Sequence, residues 1–274
     1  MTRATSDGVA PDHELNTGDA LRADSTHVDA LVPAVNVEAR RDGAAPNILL
    51  MHYTGFATGP QAIDWLARAE SGVSCHYVVD VDGTTTQMVR EADRAWHAGE
   101  SNWQGVTDIN SCSIGIEIQN PGHDRGYPEF PDAQMLAVLD LSRDIIDRHE
   151  LRPERVLAHS DIAPHRTIDP GEKFNWRWLS ERGVGVWVDP APETGDGAAD
   201  CVDPGAIGEA QRLLSAYGYH VPVSGSLCAR TAIVLTAFQR HFRPTRIDGR
   251  LDVSTLETLR RLSAAVPRHS AGPS

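Results

Sequence analysis

The sequence predicts an α/β domain, a central mixed β-sheet flanked by helices, followed by a small C-terminal three-helix bundle. Three observations carry that prediction. Short apolar runs alternate with segments of helical periodicity through residues 44–182, the pattern of strands interleaved with helices. The stretch "DPAPETGDGAADCVDPG" (189–205) then lacks large apolar residues and is rich in Pro, Gly, Asp and Ala, which reads as a linker. Residues 204–265 return to apolar periodicity of the helical kind only. The expected organisation is a flexible tail over 1–28, a main domain over 29–182, a linker over 183–203, the helical module over 204–265 and a tail over 266–274.

Each element has a local reason. "NILLMHYTG" is an apolar run closed by a turn glycine, a buried strand that delivers His52 at its C-terminal end. "GPQAIDWLARAE" follows with Ile63, Leu66 and Ala67 at helical spacing. "CHYVVDVDGTTTQMV" reads as a hairpin around Asp82-Gly83. "CSIGIEIQN" sets Ile114, Ile116 and Ile118 on one face of a strand and Glu117 on the other. A helix is expected from Pro131 to His149, with Met135, Val138, Leu139, Ile145 and Ile146 as its core stripe. "RVLAHSD" is the next strand and brings in His159. In the module, "IGEAQRLLSAYG" is a helix stopped at Gly218, a plausible left-handed cap. "GSLCART" from Gly225 and "GRLDVST" from Gly249 share Gly-x-Leu-x-x-x-Thr, and each opens an apolar-periodic helix. Ser254 with Glu257 could form a capping box there, and Asp252 is an equally good cap.

The bulk numbers narrow the partners. With 25 basic against 38 acidic residues the net charge is −13, which argues against nucleic acid or anionic membrane as a partner. An acidic ligand must therefore be gripped locally. No run of about 18 apolar residues occurs, so no transmembrane segment is expected. The four cysteines show no CxxC spacing and read as thiols rather than a disulfide framework.

The candidate chemistry lies in His52, Glu117, His159 and Asp169. Two imidazoles and one carboxylate at strand ends form a ligand set of the open catalytic type, in which zinc leaves its fourth position to water. Glu117, on the polar face of its strand, could take that water's proton and hand it to a leaving nitrogen. In "LAHSDIAPHRTIDPG" the prolines limit the conformations lost on ordering the loop between His159 and Asp169. Residue types alone leave alternatives open. Strand-end histidines often serve as structural hydrogen-bonders, and spacing does not select His52 over His76, His97 or His165.

The blocks "ILLMHYTG", "SCHYVVDVDG", "AWHAGESNWQG", "CSIGIEIQN" and "AHSDIAPHRTIDPGEKFNW" occur in that order. Together they resemble the zinc-dependent N-acetylmuramoyl-L-alanine amidases of the type 2 family, the AmpD- and AmiD-like enzymes, whose fold is shared with peptidoglycan recognition proteins. The C-terminal part is similar to the peptidoglycan-binding three-helix domain. The resemblance implies one Zn2+ per chain held by His52, His159 and Asp169, with Glu117 as acid/base residue. It places Trp96 and His97 beside the substrate cleft. Thr167 stands where the bacterial members usually carry an oxyanion-stabilising lysine. Thr167 is the expected replacement, helped by Arg166 or His165, with Arg166 also expected to meet substrate.

The implied reaction is hydrolysis of the amide between N-acetylmuramic acid, or its anhydro form, and the L-alanine of stem peptides. Muropeptides are the expected partners, in cell-wall turnover or recycling, and a monomer is expected. A non-catalytic receptor of the same fold and a phage-type lysin are the rival readings. The N-terminus has no apolar signal region, which favours the cytoplasm, whereas the AmiD-like pairing of modules points to the periplasm.

Overall fold

The apolar run that the sequence marks as a strand sits one place in from the edge of a six-stranded sheet. The structure is a computed structural model that describes residues 21–193, 199–201 and 203–266. Its strands are β1 (Ala30–Leu31), β2 (Val37–Ala39), β3 (Ile48–Tyr53), β4 (Tyr77–Val79), β5 (Thr85–Gln87), β6 (Asp93–Ala95), β7 (Ser113–Ile118) and β8 (Val156–Ala158). The main sheet runs β1-β5-β4-β7-β3-β8, while β2 and β6 pair separately. All its pairings are parallel except the β4–β5 hairpin, so the sheet is mixed as expected. The helices are α1 (Gly59–Leu66), α2 (Ile109–Cys112), α3 (Asp132–His149), α4 (His159–Ile162), α5 (Trp176–Ser180), α6 (Pro204–Tyr217), α7 (Ala229–Phe242) and α8 (Val253–Ala265).

The period-2 pattern of β7 divides the sheet into two faces. Ile114, Ile116 and Ile118, with Leu49 and Met51 of β3, pack against Met135, Val138, Leu139 and Ile145 of α3. Full burial of each such side chain is worth on the order of 1.5–3 kcal/mol, enough to fix which way β7 faces. α3 begins after Pro131, carries Asp132 in its first turn and Arg148 and His149 in its last, and ends on left-handed Glu150, charges that suit the helix dipole.

On the opposite face, Ile48, Leu50 and Leu157 enter one continuous core with Leu214, Tyr217, Val234, Phe238 and Phe242 of the C-terminal helices. The module is therefore docked, where composition suggested a loose tether. Trp103, fully buried, packs edge-on to Tyr217 and Tyr219. A Cβ at Gly218 would lie 2.3 Å from the Trp103 ring, so this glycine is needed for the domain contact as well as for its positive φ. The described part of the linker also packs: Ala191 is buried, its N–H donates to Thr258 Oγ1 and its carbonyl accepts from Ser254 Oγ. Residues 194–198 and 202 of that linker, the tail residues 1–20 and residues 267–274 lie outside the described residues. Residues 21–28, expected in the tail, are tied down in part: Asp24 Oδ2 accepts from the Glu91 N–H at 2.8 Å.

The internal echo of the module is a structural repeat. Gln211 Oε1 accepts the Gly225 N–H and its amide donates to Ser226 O and Thr231 Oγ1. Gln239 does the same for Gly249, Arg250 and Thr255. Both glycines have positive φ, 69° and 67°. Asp252 caps α8 through the Thr255 N–H, which decides between the two caps the sequence allowed.

Candidate active site

Strand register brings the first two residues together. His52 lies opposite Glu117 across the parallel β3–β7 pair, so both side chains leave the same face. His159 follows β8 directly but belongs to α4 rather than to the strand, because Asp161 accepts the Ala158 N–H at 2.9 Å and turns the chain into one helical turn. The loop then returns Asp169 to the same point. Thr167 N–H donates to Ala163 O, Asp169 N–H donates to Thr167 Oγ1 at 3.4 Å, and Ser160 N–H donates to Asp169 O at 3.0 Å. The Asp169–Pro170 peptide is cis.

His52, His159 and Asp169 are buried and form a group able to hold a metal ion. His52 Nδ1 and His159 Nδ1 are 3.0 Å apart, and each lies 3.1 Å from Asp169 Oδ2. Ligands at about 2.0–2.2 Å around a tetrahedral ion sit roughly 3.3–3.6 Å from one another. The triangle is thus slightly tight, within reach of small side-chain rotations, and the donor set fits. Burial and the neighbouring His159 push the His52 imidazole down to about 4. Burial alone would raise Asp169, yet His159 and His52 outweigh it and hold the carboxyl below its usual range. Both shifts favour the neutral imidazole and the carboxylate that a metal needs.

Glu117 behaves oppositely. The residue is partly exposed, but its Oε2 is sealed from solvent and has no hydrogen-bond partner among the described residues. Burial and the charge of Asp169 push its carboxyl well above the usual range. A carboxyl raised in this way holds a proton more readily than a free one, as an acid/base group must.

The remaining expected residues surround this group. Arg166 is exposed and its Nη2 donates to Ala98 O at 2.7 Å, beside His159 Nε2. Trp96 is half-buried and its indole N–H is without a partner among the described residues. His97 is buried behind His52, with both ring nitrogens turned to protein groups. His76 accepts the Gly115 N–H and contacts Asp93 O, a structural place. Sequence reasoning missed Asp161, which accepts from Tyr219 Oη at 2.5 Å and contacts His241 Nδ1 at 2.7 Å. The only signal was a charged residue between the apolar run ending at Ala158 and Ile162. A cavity of about 520 Å³ is lined by Glu100, Ser101, Ile162 and His165 of the main domain and by Arg230 and Ile233 of α7, with none of the candidate group in its wall.

Comparison with known proteins agrees with this architecture. Residues 42–172 match the N-acetylmuramoyl-L-alanine amidase family and residues 204–259 a peptidoglycan binding domain. The chain is 36% identical over 232 residues to the N-acetylmuramoyl-L-alanine amidase AmiD of Escherichia coli, covering 76% of this chain and 79% of that protein. It is 33% identical over 162 residues to the 1,6-anhydro-N-acetylmuramyl-L-alanine amidase AmpD of the same organism, covering 53% and 86%. The solved structure of E. coli AmiD with anhydro-N-acetylmuramic acid-L-Ala-D-gamma-Glu-L-Lys superposes with a TM-score of 0.71 at 33% identity, over 85% of this chain and 94% of that one. AmpDh3 of Pseudomonas aeruginosa in complex with anhydromuramic pentapeptide gives 0.66 at 30% identity, over 82% and 93%. Extending across both modules, these likenesses make the chain a member of the N-acetylmuramoyl-L-alanine amidase family.

Proposed function

We propose that the protein hydrolyses the amide joining N-acetylmuramic acid, or its anhydro form, to the L-alanine of a peptidoglycan stem peptide. The observation that carries this reading is the convergence of His52, His159 and Asp169 beside the raised carboxyl of Glu117. His52 Nδ1, His159 Nδ1 and Asp169 Oδ2 would hold one Zn2+. Such an ion supplies Lewis-acid chemistry, acidifying water and polarising a carbonyl. Glu117 takes the proton of the attacking water and returns it to the departing alanine nitrogen. Thr167 Oγ1 already accepts the Asp169 N–H, which leaves its own O–H to donate to the oxyanion. Arg166 is the local cation for an acidic peptide in a chain of net charge −13, and Trp96 lines the approach. The C-terminal module binds the wall polymer or its fragments.

The test is product analysis. Incubation with an anhydro-muropeptide should release the free stem peptide and the sugar, chelation should stop it, and one equivalent of zinc should restore it. A protein that binds muropeptide with zinc present and never cleaves it would instead be a receptor.

A further inference from the structure

The Trp96–Ala98 segment reaches both histidines from behind. His52 Nε2 lies 3.0 Å from His97 Nδ1, and His159 Nε2 lies 3.1 Å from Ala98 O. Asn110 Oδ1 pins the segment by accepting the N–H groups of His97 and Ala98 at 3.0 and 2.8 Å. β7 supplies a seat for the His97 ring: a Cβ at Gly115 would come within 2.5 Å of His97 Nδ1. The ring thus fits only because this strand position has no side chain.

The hydrogen bonds run in one direction. Ser113 Oγ–H donates to Ile109 O at 2.7 Å, so its oxygen accepts from His97 Nε2–H at 3.3 Å. A neutral imidazole that donates at one nitrogen accepts at the other. His97 Nδ1 therefore accepts from His52 Nε2–H, which leaves the lone pair of His52 on Nδ1, facing His159 and Asp169. His159 Nε2 stands between the Ala98 carbonyl at 3.1 Å, which accepts only an N–H, and Arg166 Nη2 at 3.0 Å, which only donates, so the relay through His97 sets His52 alone. Arg166 Nη2 donates to that same carbonyl.

We infer that His97 is a positioning residue for the metal centre, fixing His52 in its Nε2–H tautomer through the relay from Ser113, rather than a substrate contact. The inference rests on the function proposed above. Partners that orient ligand imidazoles this way typically hold 10–100-fold of metal affinity.

The experiment titrates metal-free full-length protein with Zn2+ against a chromophoric chelator, for the parent, His97→Ala, His97→Asn and Ser113→Ala. His97→Ala should weaken zinc by about 10–100-fold. His97→Asn, whose amide oxygen can replace Nδ1 as acceptor, should recover most of that loss. Ser113→Ala, which frees His97 to invert its tautomer, should weaken zinc several-fold. With zinc saturating, KM for an anhydro-muropeptide should stay close to that of the parent. Parent-like zinc affinity in His97→Ala, or a raised KM there at full zinc loading, overturns the inference and returns His97 to the substrate. Should His97→Ala fail to fold, parent-like affinity in Ser113→Ala overturns it. A parent that takes up no zinc instead removes the proposed function itself.

Discussion

Two buried imidazole–carboxylate clusters lie on either side of α4, two residues apart in sequence. One joins His52, His159 and Asp169; the other joins Asp161 with His241 and Tyr219. Each holds one carboxylate, the first with two imidazoles and the second with one imidazole and a phenol. In the first, two Nδ1 atoms and Asp169 Oδ2 converge on one point, and the relay through His97 turns the N–H of His52 outward. In the second, Asp161 is ringed by donors, the Ala158 N–H, Tyr219 Oη–H and His241 Nδ1, and His241 is stacked between Trp176 and Phe242. A group able to hold a metal and a structural knot therefore differ in where the protons point as well as in their donor sets.

The sharpest way to break the comparison is to remove a ligand. Asp169→Ala should abolish zinc binding and turnover together, checked by metal analysis and product release. Glu117→Gln should keep zinc and lose about 10²–10⁴-fold in turnover, read in steady-state assays. The same substitution should raise the melting temperature of metal-free protein at neutral pH. The Glu117 carboxyl titrates higher in the folded than in the unfolded chain. Its contribution to stability is therefore full below the ordinary carboxylate range and is lost as pH rises through the raised value. Tyr219→Phe should leave zinc stoichiometry intact and cost on the order of 1.5–3 kcal/mol in urea unfolding, as a hydrogen bond to a buried charge does. If it depleted zinc as well, the two clusters would not be separable. Thr167→Val should have the smallest effect, up to about tenfold in turnover for one neutral hydrogen bond, and unchanged turnover would remove Thr167 from the oxyanion role.

The strand positions of His52 and Glu117 were legible from local signals, whereas the choice of His52, His159 and Asp169 as a set came from the resemblance of the ordered blocks. Alternation in β7 put Glu117 opposite the isoleucine face, and the apolar run of β3 ended at His52. The docking of the module was not legible. Asp161 meets Tyr219 and His241 across 58 and 80 residues, and no periodicity encodes such pairs. The composition of the linker suggested freedom, yet Ala191 is held by Thr258 and Ser254. His159 read as a strand end because a single helical turn is too short to impose its own period. Gln134, polar on the core face of α3, also escaped notice; it donates to Val79 O and Gln119 O and ties the helix to the sheet.

The shared core beneath Trp103 has a consequence for how the two modules act. A hook on a string lets a blade sweep every bond within its radius, and the length of the string sets the odds. Here the two modules share one core, and α7 lines a cavity together with Ile162 and His165 of the main domain. A polymer held by the C-terminal helices would meet the cleavage point at a constant offset, as work clamped to a bench meets a fixed saw.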